Sequence, residues 1–251
     1  MKWILNLFPR PLLIRLSILF RPLLDLFFRG NRFTDPINQK SYRKFLDYGY
    51  HNIRKNVLCP GTLSLERHRL LWLYLSRKTT LFDQSLRVLH VAPEQAFYKA
   101  FKAIPKWDYT TTDLHSPLAD VRADLCNLPF DSESFDLVIC NHVLEHIPDD
   151  LQAIKEIFRV LTSGGQAILQ VPLEQEREHT FEDDRITDPQ ERARIFGQYD
   201  HVRIYGKDYF KRLESVGFRS QPIDYTAELS PSEIEQYALP KGEWIPWVQK
   251  G

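Results

Sequence analysis

The sequence lacks paired cysteines, a surplus of charge and any long uncharged stretch near its N-terminus. Its three cysteines, Cys59, Cys126 and Cys140, show no disulfide or metal-site spacing, which favours a reducing, cytoplasmic compartment. The 33 basic residues balance 33 acidic ones, so the composition gives no reason to expect nucleic-acid binding. What remains is ordinary for a globular protein, with 43% hydrophobic and 26% charged residues.

Residues 1–32 are apolar, but charges interrupt them too often for a membrane-spanning helix. The longest uncharged run in this segment is Trp3 to Pro9, whereas a spanning helix needs ~20 residues. No small-residue cleavage site follows, which disfavours a secretory signal. Pro11 and Pro22 suit first helical positions, and they predict short helices at 11–20 and 22–29.

This N-terminal arm, residues 1–32, carries six basic residues and one acidic residue, a net charge of +5. One interpretation places it peripherally on the anionic inner face of the membrane, with its arginines toward the headgroups. The other is a helical arm packed on the domain or on a second subunit. Behind the arm, the sequence predicts a helical lead-in over residues 33–80, which includes a helix at about 64–78.

Residues 81–251 alternate short apolar runs with helical periodicity. The predicted strands lie at 86–92, 108–113, 119–124, 134–141, 166–172 and within 242–250, and the predicted helices at 96–104, 151–161 and from 207. Ser163-Gly164-Gly165 is expected to end the second of these helices. The alternation predicts an α/β fold, a Rossmann-like doubly wound and mostly parallel sheet with helices on both faces, in which ligands bind at the carboxyl ends of the strands.

Two aspartates follow predicted strands at the positions where such a sheet binds a nucleotide. Asp113, with Leu114 after it, comes 21 residues beyond Ala92, the distance at which a carboxylate holds the hydroxyls of a ribose. Asp124 follows the next strand, and its carboxylate together with the backbone N–H of Leu125 would select adenine. The alternative is that both aspartates only form turns.

The stretch "DLCNLPFDSESFDLVICNHVLEHIPD" and the later "VLTSGGQAILQVP" together resemble the class I S-adenosylmethionine-dependent methyltransferases over about fifty residues. The resemblance implies that Asp124 contacts adenine, that Asp113 contacts the ribose of S-adenosylmethionine, and that Asn141 and His142 line the cleft. The acceptor would be a small molecule or a lipid-like molecule.

The same stretch contains H-x-x-E-H, a zinc peptidase pattern, at His142, Glu145 and His146. A zinc helix would need both histidines on a stable helix. Here the pattern begins one residue after a buried strand, and Pro148 interrupts it. The resemblance makes Glu145 and His146 structural residues of a strand-to-helix turn. We therefore expect no metal there, and a zinc hydrolase stays only as a further alternative.

The first loop departs from the family, which usually has D-x-G-x-G-x-G there. This chain has "LHVAPEQAFYKA", without glycine and with His90 in the acidic position. The predicted cofactor residues of this loop are His90, Ala92, Pro93 and Glu94, with Glu94 pairing with the cofactor's ammonium group. The loop of this chain resembles that of a divergent bacterial branch of the family, which has H-x-A-P-E at the same place. The alternative is a degenerate fold that binds cofactor poorly and serves as a membrane-associated binding or scaffold protein.

A second block similar to that branch is "FGQYDHVRIYG", which closes a polar excursion at residues 174–206. Such long excursions are often lids. His201 and His142 are the candidate catalytic bases because imidazole titrates near neutrality. The candidate acceptor-binding residues are Tyr199, Arg203 and Tyr205. The alternative is a cluster of helix-capping and ion-pair residues.

Overall fold

The computed structural model describes residues 22–49 and 53–251. Residues 22–27 are helical, which confirms most of the predicted helix at 22–29, whereas the predicted helix at 11–20 lies outside the described residues. No helix in the described ranges has both the length and the hydropathy needed to cross a bilayer. The described residues divide into two compact units: those within 22–49, 53–80, 94–103 and 225–243 form the first, and those within 81–93, 104–224 and 244–251 form the second.

The described strands follow in chain order. They are β1 (Arg29–Asp35), β2 (Lys40–Tyr42), β3 (Leu46–Tyr48), β4 (Arg54–Leu58), β5 (Leu86–Val91), β6 (Trp107–Asp113), β7 (Val121–Arg122), β8 (Phe135–Asn141), β9 (Leu161–Gln170), β10 (Phe181–Glu182), β11 (Arg203–Ile204), β12 (Phe218–Ile223) and β13 (Ile245–Lys250). After the helical residues 22–27, the described α-helices are α1 (Glu66–Lys78), α2 (Gln95–Lys102), α3 (Asp150–Val160), α4 (Pro189–Ile195), α5 (Tyr209–Ser215) and α6 (Pro231–Gln236).

The first unit corrects the prediction of a helical lead-in. Residues 33–58 contain no described helix and instead belong to two antiparallel strand pairs, β1 with β2 and β3 with β4. These strands are short and rich in polar and aromatic residues, so neither a helical nor a strand period stands out in the sequence. The expected helix at about 64–78 is present as α1. The fully buried guanidinium of Arg69 on α1 donates to the carbonyls of Val57 and Ser64, at 3.0 and 2.8 Å.

The second unit contains a seven-stranded sheet in the order β12-β13-β9-β8-β5-β6-β7, counted in the described residues. Neighbouring strands from β7 to β9 run parallel, whereas β13 pairs antiparallel with both β9 and β12. This is the predicted Rossmann-like sheet, and β13, the last strand in chain order, lies between β9 and β12 and runs antiparallel to both. It has the strand order of the class I methyltransferase fold.

Apolar residues of the strands explain where the core of this unit lies. In β8, the five residues Leu137 to Asn141 are buried without a break, as expected for a central parallel strand. Helix α3 buries Ala153, Ile154 and Ile157 at helical spacing, and the Asp149 side chain caps it by accepting from the N–H of Gln152 at 3.0 Å. These three buried residues of α3 belong to one hydrophobic cluster with residues of β5, β8 and β9.

The structure corrects the expected role of Ser163-Gly164-Gly165. Helix α3 ends at Val160, and β9 begins directly at Leu161, so the three residues lie inside a strand and do not end a helix. Gly164 has φ +75°, a conformation that favours glycine. The excursion at 174–206 holds only short elements, β10, α4 and β11. Its ends meet, because the Glu174 N–H donates to the Tyr205 carbonyl at 2.9 Å.

Candidate active site

The predicted cofactor residues of the second unit lie at the carboxyl edge of its sheet. The register places Val91 of β5 beside Thr112 of β6 and beside Cys140 of β8. The chain order reverses between β5 and β8, since β6 and β7 lie on one side of this pair and β9 lies on the other. Adjacent strands are about 4.8 Å apart, and the crevice at such a reversal is where open α/β sheets bind ligands.

The loop after β5 makes its turn without glycine. Ala92 adopts φ +49°, in the left-handed region, at the position where the resembled family has its first glycine. Its N–H donates to the Thr112 carbonyl at 2.7 Å, and Pro93 is buried. His90 lies fully buried inside the sheet, with its Nδ1 2.6 Å from the Tyr109 hydroxyl. Ala92 therefore adopts the left-handed conformation that glycine adopts easily, although this loop carries the methyl group of Ala92 and the ring of Pro93.

Glu94 belongs to the first unit, where it precedes α2 in the N-cap position. One of its carboxylate oxygens lies 3.7 Å from Nε2 of the buried His68. The Leu65 N–H donates to Nδ1 of His68 at 3.0 Å, which makes Nε2 the protonated nitrogen that faces Glu94. Glu94 thus has a protein partner, and its predicted pairing with a cofactor ammonium group stays a prediction.

Asp113 and Asp124 each use one carboxylate oxygen for a turn. Oδ1 of Asp113 accepts from the N–H groups of His115 and Ser116, at 2.6 and 2.5 Å, and Oδ1 of Asp124 accepts from the N–H of Cys126 at 2.9 Å. Within the described part of the chain, Oδ2 of Asp113 has no hydrogen-bond partner, whereas the Asp124 carboxylate also accepts from the Cys126 thiol. Both residues therefore form turns, as the alternative interpretation held, and both keep an acceptor for a ligand.

The residues next to these aspartates differ in exposure. Leu114 is 48% exposed, whereas Leu125 is buried in the hydrophobic cluster of the second unit. The buried side chain of Leu125 thus holds its backbone N–H in place. The side chain of Leu114, next to Asp113, is partly exposed to solvent. A large exposed apolar side chain beside a predicted ribose site offers a surface against which a flat base can pack.

At the end of β8, a buried acid holds a histidine. His142 adopts φ +54°, donates its N–H to the Gln170 carbonyl at 2.7 Å, and has Nδ1 3.3 Å from Oε1 of Glu145. Burial alone would raise the pKa of Glu145, but the hydrogen bond to His142 and the charges of His142 and His146 lower it below its usual value. Asn141 is buried beside Gln170 in the register.

Two buried polar side chains that the sequence interpretation missed lie at the same edge. Both amide atoms of Gln170 and the hydroxyl of Thr112 are buried without a hydrogen-bond partner among the described residues. Buried polar atoms of this kind are normally satisfied by protein, water or a ligand. They fit a site that holds a polar small molecule such as S-adenosylmethionine. A glutamine at the end of the apolar run "QAILQVP" was the signal available in the sequence.

The H-x-x-E-H residues do not lie on an α-helix. Leu144–His146 forms a 3₁₀ turn directly after β8, in agreement with the predicted strand-to-helix turn. His146 lies beside the predicted base His201, with ring centroids 4.7 Å apart in an edge-on arrangement. Burial lowers the pKa of His201, which favours its neutral form, the form in which it can accept a proton.

The predicted acceptor-binding residues have mixed environments. The Arg203 guanidinium is buried and donates to the carbonyls of Leu144, Ile147 and Pro148, at 3.0, 2.5 and 2.7 Å. It thereby holds the turn that follows β8. Tyr199 is 55% exposed. The capping role is what the alternative interpretation of this block expected, and acceptor binding by Arg203 and Tyr199 stays a prediction.

Tyr205, the third predicted acceptor residue, is fully buried. Its hydroxyl donates to Oδ2 of Asp150 at 2.7 Å, and Arg212 donates to the same carboxylate at 2.8 and 3.0 Å. Burial and the Asp150 carboxylate raise the pKa of Tyr205, so the phenol remains a donor at neutral pH. The bond joins the end of the excursion to the first turn of α3, and contact with an acceptor stays a prediction.

Comparison with known proteins identifies the core of this chain. Residues 68–169 match the model of a family described as "Methyltransferase domain". This stretch is a methyltransferase domain. It contains β5 to β8 and most of β9, and therefore the four strand ends with Ala92, Asp113, Asp124 and His142.

The methyltransferase domain also has local likenesses in individual proteins. The demethylmenaquinone methyltransferase of Staphylococcus epidermidis is 48% identical over 48 residues, 19% of this chain and 20% of that protein. The chain thus spans about a fifth of the length of the curated relatives that it matches. Among solved structures, the 1,6-didemethyltoxoflavin-N1-methyltransferase of Burkholderia thailandensis, with bound S-adenosylhomocysteine, is 15% identical with a TM-score of 0.46, covering 73% of this chain and 76% of that chain. An S-adenosylmethionine-dependent methyltransferase of Mesorhizobium loti is 16% identical with a TM-score of 0.44, covering 66% and 92%.

Proposed function

We propose that this protein transfers a methyl group from S-adenosylmethionine to a small-molecule or lipid-like acceptor. The observation that supports this most strongly is the pair of aspartates at neighbouring strand ends, Asp113 and Asp124. Each has one oxygen engaged in a turn, and the second oxygen of Asp113 accepts no hydrogen bond from the described residues. Such oxygens can accept from the ribose hydroxyls and from the adenine amine.

The cofactor would supply an electrophilic methyl group, and the protein would align the acceptor behind it. Alignment is a large part of catalysis for an in-line displacement. His142 and His201 are the groups that we propose as bases for an acceptor that loses a proton. His142 is held by Glu145, and His201 accepts a proton readily only in its neutral form, which burial favours.

Two features of the chain support the lipid-like acceptor class. The curated relatives with local identity are named demethylmenaquinone methyltransferases, which makes a demethylated quinone the first lipid-like acceptor to test. The arm, residues 1–32, has a net charge of +5 and many leucine and phenylalanine residues, as suits binding to an anionic membrane surface. We propose that the arm brings the enzyme to membranes that contain its acceptor.

A ligand screen by thermal unfolding tests the proposed cofactor. S-adenosylmethionine and S-adenosylhomocysteine should stabilise the protein by about 2.7 kcal/mol at a hundredfold excess over Kd, whereas NADH should not. Stabilisation by neither sulfur compound would support the second candidate, a catalytically degenerate binding or scaffold protein. The observation that favours this candidate is the glycine-free loop with Glu94 already 3.7 Å from His68.

Vesicle flotation tests the membrane proposal, and the structure shows where to truncate. Asp25 accepts from the Tyr42 hydroxyl at 2.5 Å and from Lys40 at 2.6 Å, so removal of all of residues 1–32 would break contacts of the first unit. Deletion of residues 1–21 preserves them. The full chain should float with anionic vesicles and the shortened chain should not, while neutral vesicles should bind neither. Equal flotation of the two chains would refute the proposed role of the arm.

A further inference from the structure

Three side chains lie together next to the turn after β8, and a metal bound by them would leave His142 as the base of the proposed methyl transfer. Glu145, His146 and His201 each offer one ligand atom, and these three atoms lie within 4.8 Å of one another. Glu145 and His201 are buried, and His146 is half-buried. We call them the Glu145–His146–His201 cluster. Two imidazoles and one carboxylate form a donor set that zinc uses in proteins.

The two imidazoles have the surroundings of metal-binding histidines. Nδ1 of His201 lies 3.1 Å from the Phe196 carbonyl, which can only accept, so Nδ1 carries the proton and Nε2 keeps its lone pair. Nδ1 of His146 lies 3.4 Å from Oδ2 of Asp200. A histidine that binds a metal usually gives its other N–H to a carbonyl or a carboxylate, which fixes its tautomer and orientation. His201 therefore has Nε2 as the nitrogen able to bind a metal, and the Asp200 carboxylate favours the same tautomer in His146.

The carboxylate provides an independent indication of a missing ligand. Glu145 is 1% exposed, and its Oε2 has no hydrogen-bond partner in the described ranges. The other oxygen, Oε1, faces His142 at 3.3 Å. A buried carboxylate oxygen without a partner costs free energy, and a cation bound at that oxygen would remove the cost.

The backbone around the cluster is fixed by the protein itself. The Val202 N–H donates to the Glu145 carbonyl at 2.9 Å, and Arg203 donates to the carbonyls on either side, those of Leu144 and Ile147. The turn after β8 and the segment around His201 are thus joined whether or not a metal is present. Metal bonds of about 2.0–2.2 Å would bring the ligand atoms closer together than 4.8 Å, so these side chains would rotate towards the ion on binding.

We propose that Glu145, His146 and His201 bind one divalent transition-metal ion of the zinc type. Asp200 and the Phe196 carbonyl act as the outer partners of the two histidines. The ligand set differs from the one that H-x-x-E-H supplies on a helix. His201, which lies 55 residues after His146, takes the place of His142. Three protein ligands leave a fourth position for water or an acceptor oxygen.

The test is metal binding by the full-length chain without an affinity tag. After dialysis against a chelator, Co²⁺ is added and its visible absorption recorded, and Zn²⁺ affinity is measured by competition with a chromophoric chelator. The wild type should bind one equivalent and show a Co²⁺ spectrum with imidazole ligands. His146→Ala and His201→Ala should each weaken Zn²⁺ binding by at least about a hundredfold, since changes in outer partners alone cost roughly 10–100-fold.

His179→Ala is the matched control, because His179 has an 88% exposed side chain and lies outside the cluster, and it should bind Zn²⁺ like the wild type. Glu145→Gln keeps the size of the buried side chain and should also lose affinity. Circular dichroism and S-adenosylhomocysteine binding on the same metal-free samples show whether each variant is folded, and they report on the proposed methyl transfer separately. A wild type that shows no imidazole-ligated Co²⁺ spectrum overturns the proposal, and so do folded His146 and His201 variants with unchanged Zn²⁺ affinity.

Discussion

Ala92 and His142 both have left-handed backbone at the ends of the neighbouring strands β5 and β8, with φ of +49° and +54°. Each donates its N–H at 2.7 Å to the strand on its outer side, Ala92 to Thr112 and His142 to Gln170. The turn after β5 is therefore hydrogen-bonded to β6, and the turn after β8 is hydrogen-bonded to β9. Neither of these two bonds crosses between β5 and β8, where the strand order reverses. The crevice between them is the site that we assign to the cofactor.

The conformation of Ala92 predicts an unusual effect of glycine. A left-handed residue with a side chain costs about 1–2 kcal/mol relative to glycine, whereas the extra freedom of glycine in the unfolded chain costs roughly 0.5–1 kcal/mol. Ala92→Gly should therefore leave the free energy of unfolding unchanged or raise it by up to about 1.5 kcal/mol. Urea denaturation measures this.

The control for Ala92→Gly is Ala153→Gly, a change of the same type in the interior of α3. It should lower the free energy of unfolding by about 1 kcal/mol or more, because glycine disfavours a helix and a buried methyl group is lost. Equal losses in the two variants would show that the loop after β5 does not have the left-handed turn.

Gln170 should matter for ligand binding more than for stability. Its amide is buried without a hydrogen-bond partner among the described residues, so replacement by methionine of similar length removes an unsatisfied group. Gln170→Met should keep or raise the free energy of unfolding and should weaken S-adenosylhomocysteine binding. Gln166→Met, on the same strand but away from its carboxyl end, should not change the affinity. If both variants bind alike, Gln170 has no role in the cofactor site.

Replacement of Tyr205 should lower the free energy of unfolding without changing cofactor binding. Tyr205→Phe removes a buried hydrogen bond to Asp150 but leaves that carboxylate bound to Arg212 at 2.8 Å, so the loss should be about 1–2 kcal/mol. Cofactor affinity, measured by calorimetry, should stay the same. A variant with wild-type stability and reduced turnover would instead favour the predicted contact between Tyr205 and the acceptor.

Glu243 makes the stability of the first unit depend on pH. Burial raises the pKa of Glu243 to about 7, and the nearby Glu66 adds to the effect, while Arg67 and Arg54 oppose it. In the folded chain this carboxyl keeps its proton up to about pH 7, whereas in the unfolded chain it loses the proton near pH 4.5. The free energy of unfolding should therefore fall as the pH rises through this window.

Thermal unfolding from pH 5 to pH 8 checks this effect. Between pH 5 and pH 8, the free energy of unfolding of Glu243→Gln should rise by roughly 1–3 kcal/mol relative to that of the wild type, because the glutamine side chain cannot ionise. Glu235→Gln, at an exposed position of α6, is the control and should follow the wild-type curve. Parallel curves for all three proteins would contradict the raised pKa of Glu243.

The sequence predicted six of the seven described strands in the sheet of the second unit, all except β12, together with one edge of the site. β8 is an unbroken apolar run and α3 has a clear helical period, so the strands around them, and with them Asp113 and Asp124, could be placed. The hairpins at residues 29–58 were missed because strands of three to seven residues with mixed polarity carry no clear period.

Contacts between distant parts of the chain could not be predicted from local pattern. His146 and His201 are 55 residues apart, and only the turn after β8 and the end of the excursion bring their rings to 4.7 Å. The partners of Arg203 and Tyr205 depend on the same long-range packing. From their residue types, Arg203 and Tyr205 were predicted to contact an acceptor. In the structure, Arg203 donates hydrogen bonds to the turn after β8, and Tyr205 donates one to Asp150.

The most direct test of the proposed cofactor site is calorimetric titration of S-adenosylhomocysteine into Asp124→Ala, with Asp131→Ala as the control at an exposed position before β8. Asp124→Ala should weaken binding by roughly 10–100-fold or more, as expected for loss of a hydrogen bond to a ligand polar group, and the control should bind like the wild type. Unchanged affinity in a folded Asp124→Ala protein would contradict the assignment of adenine to this strand end.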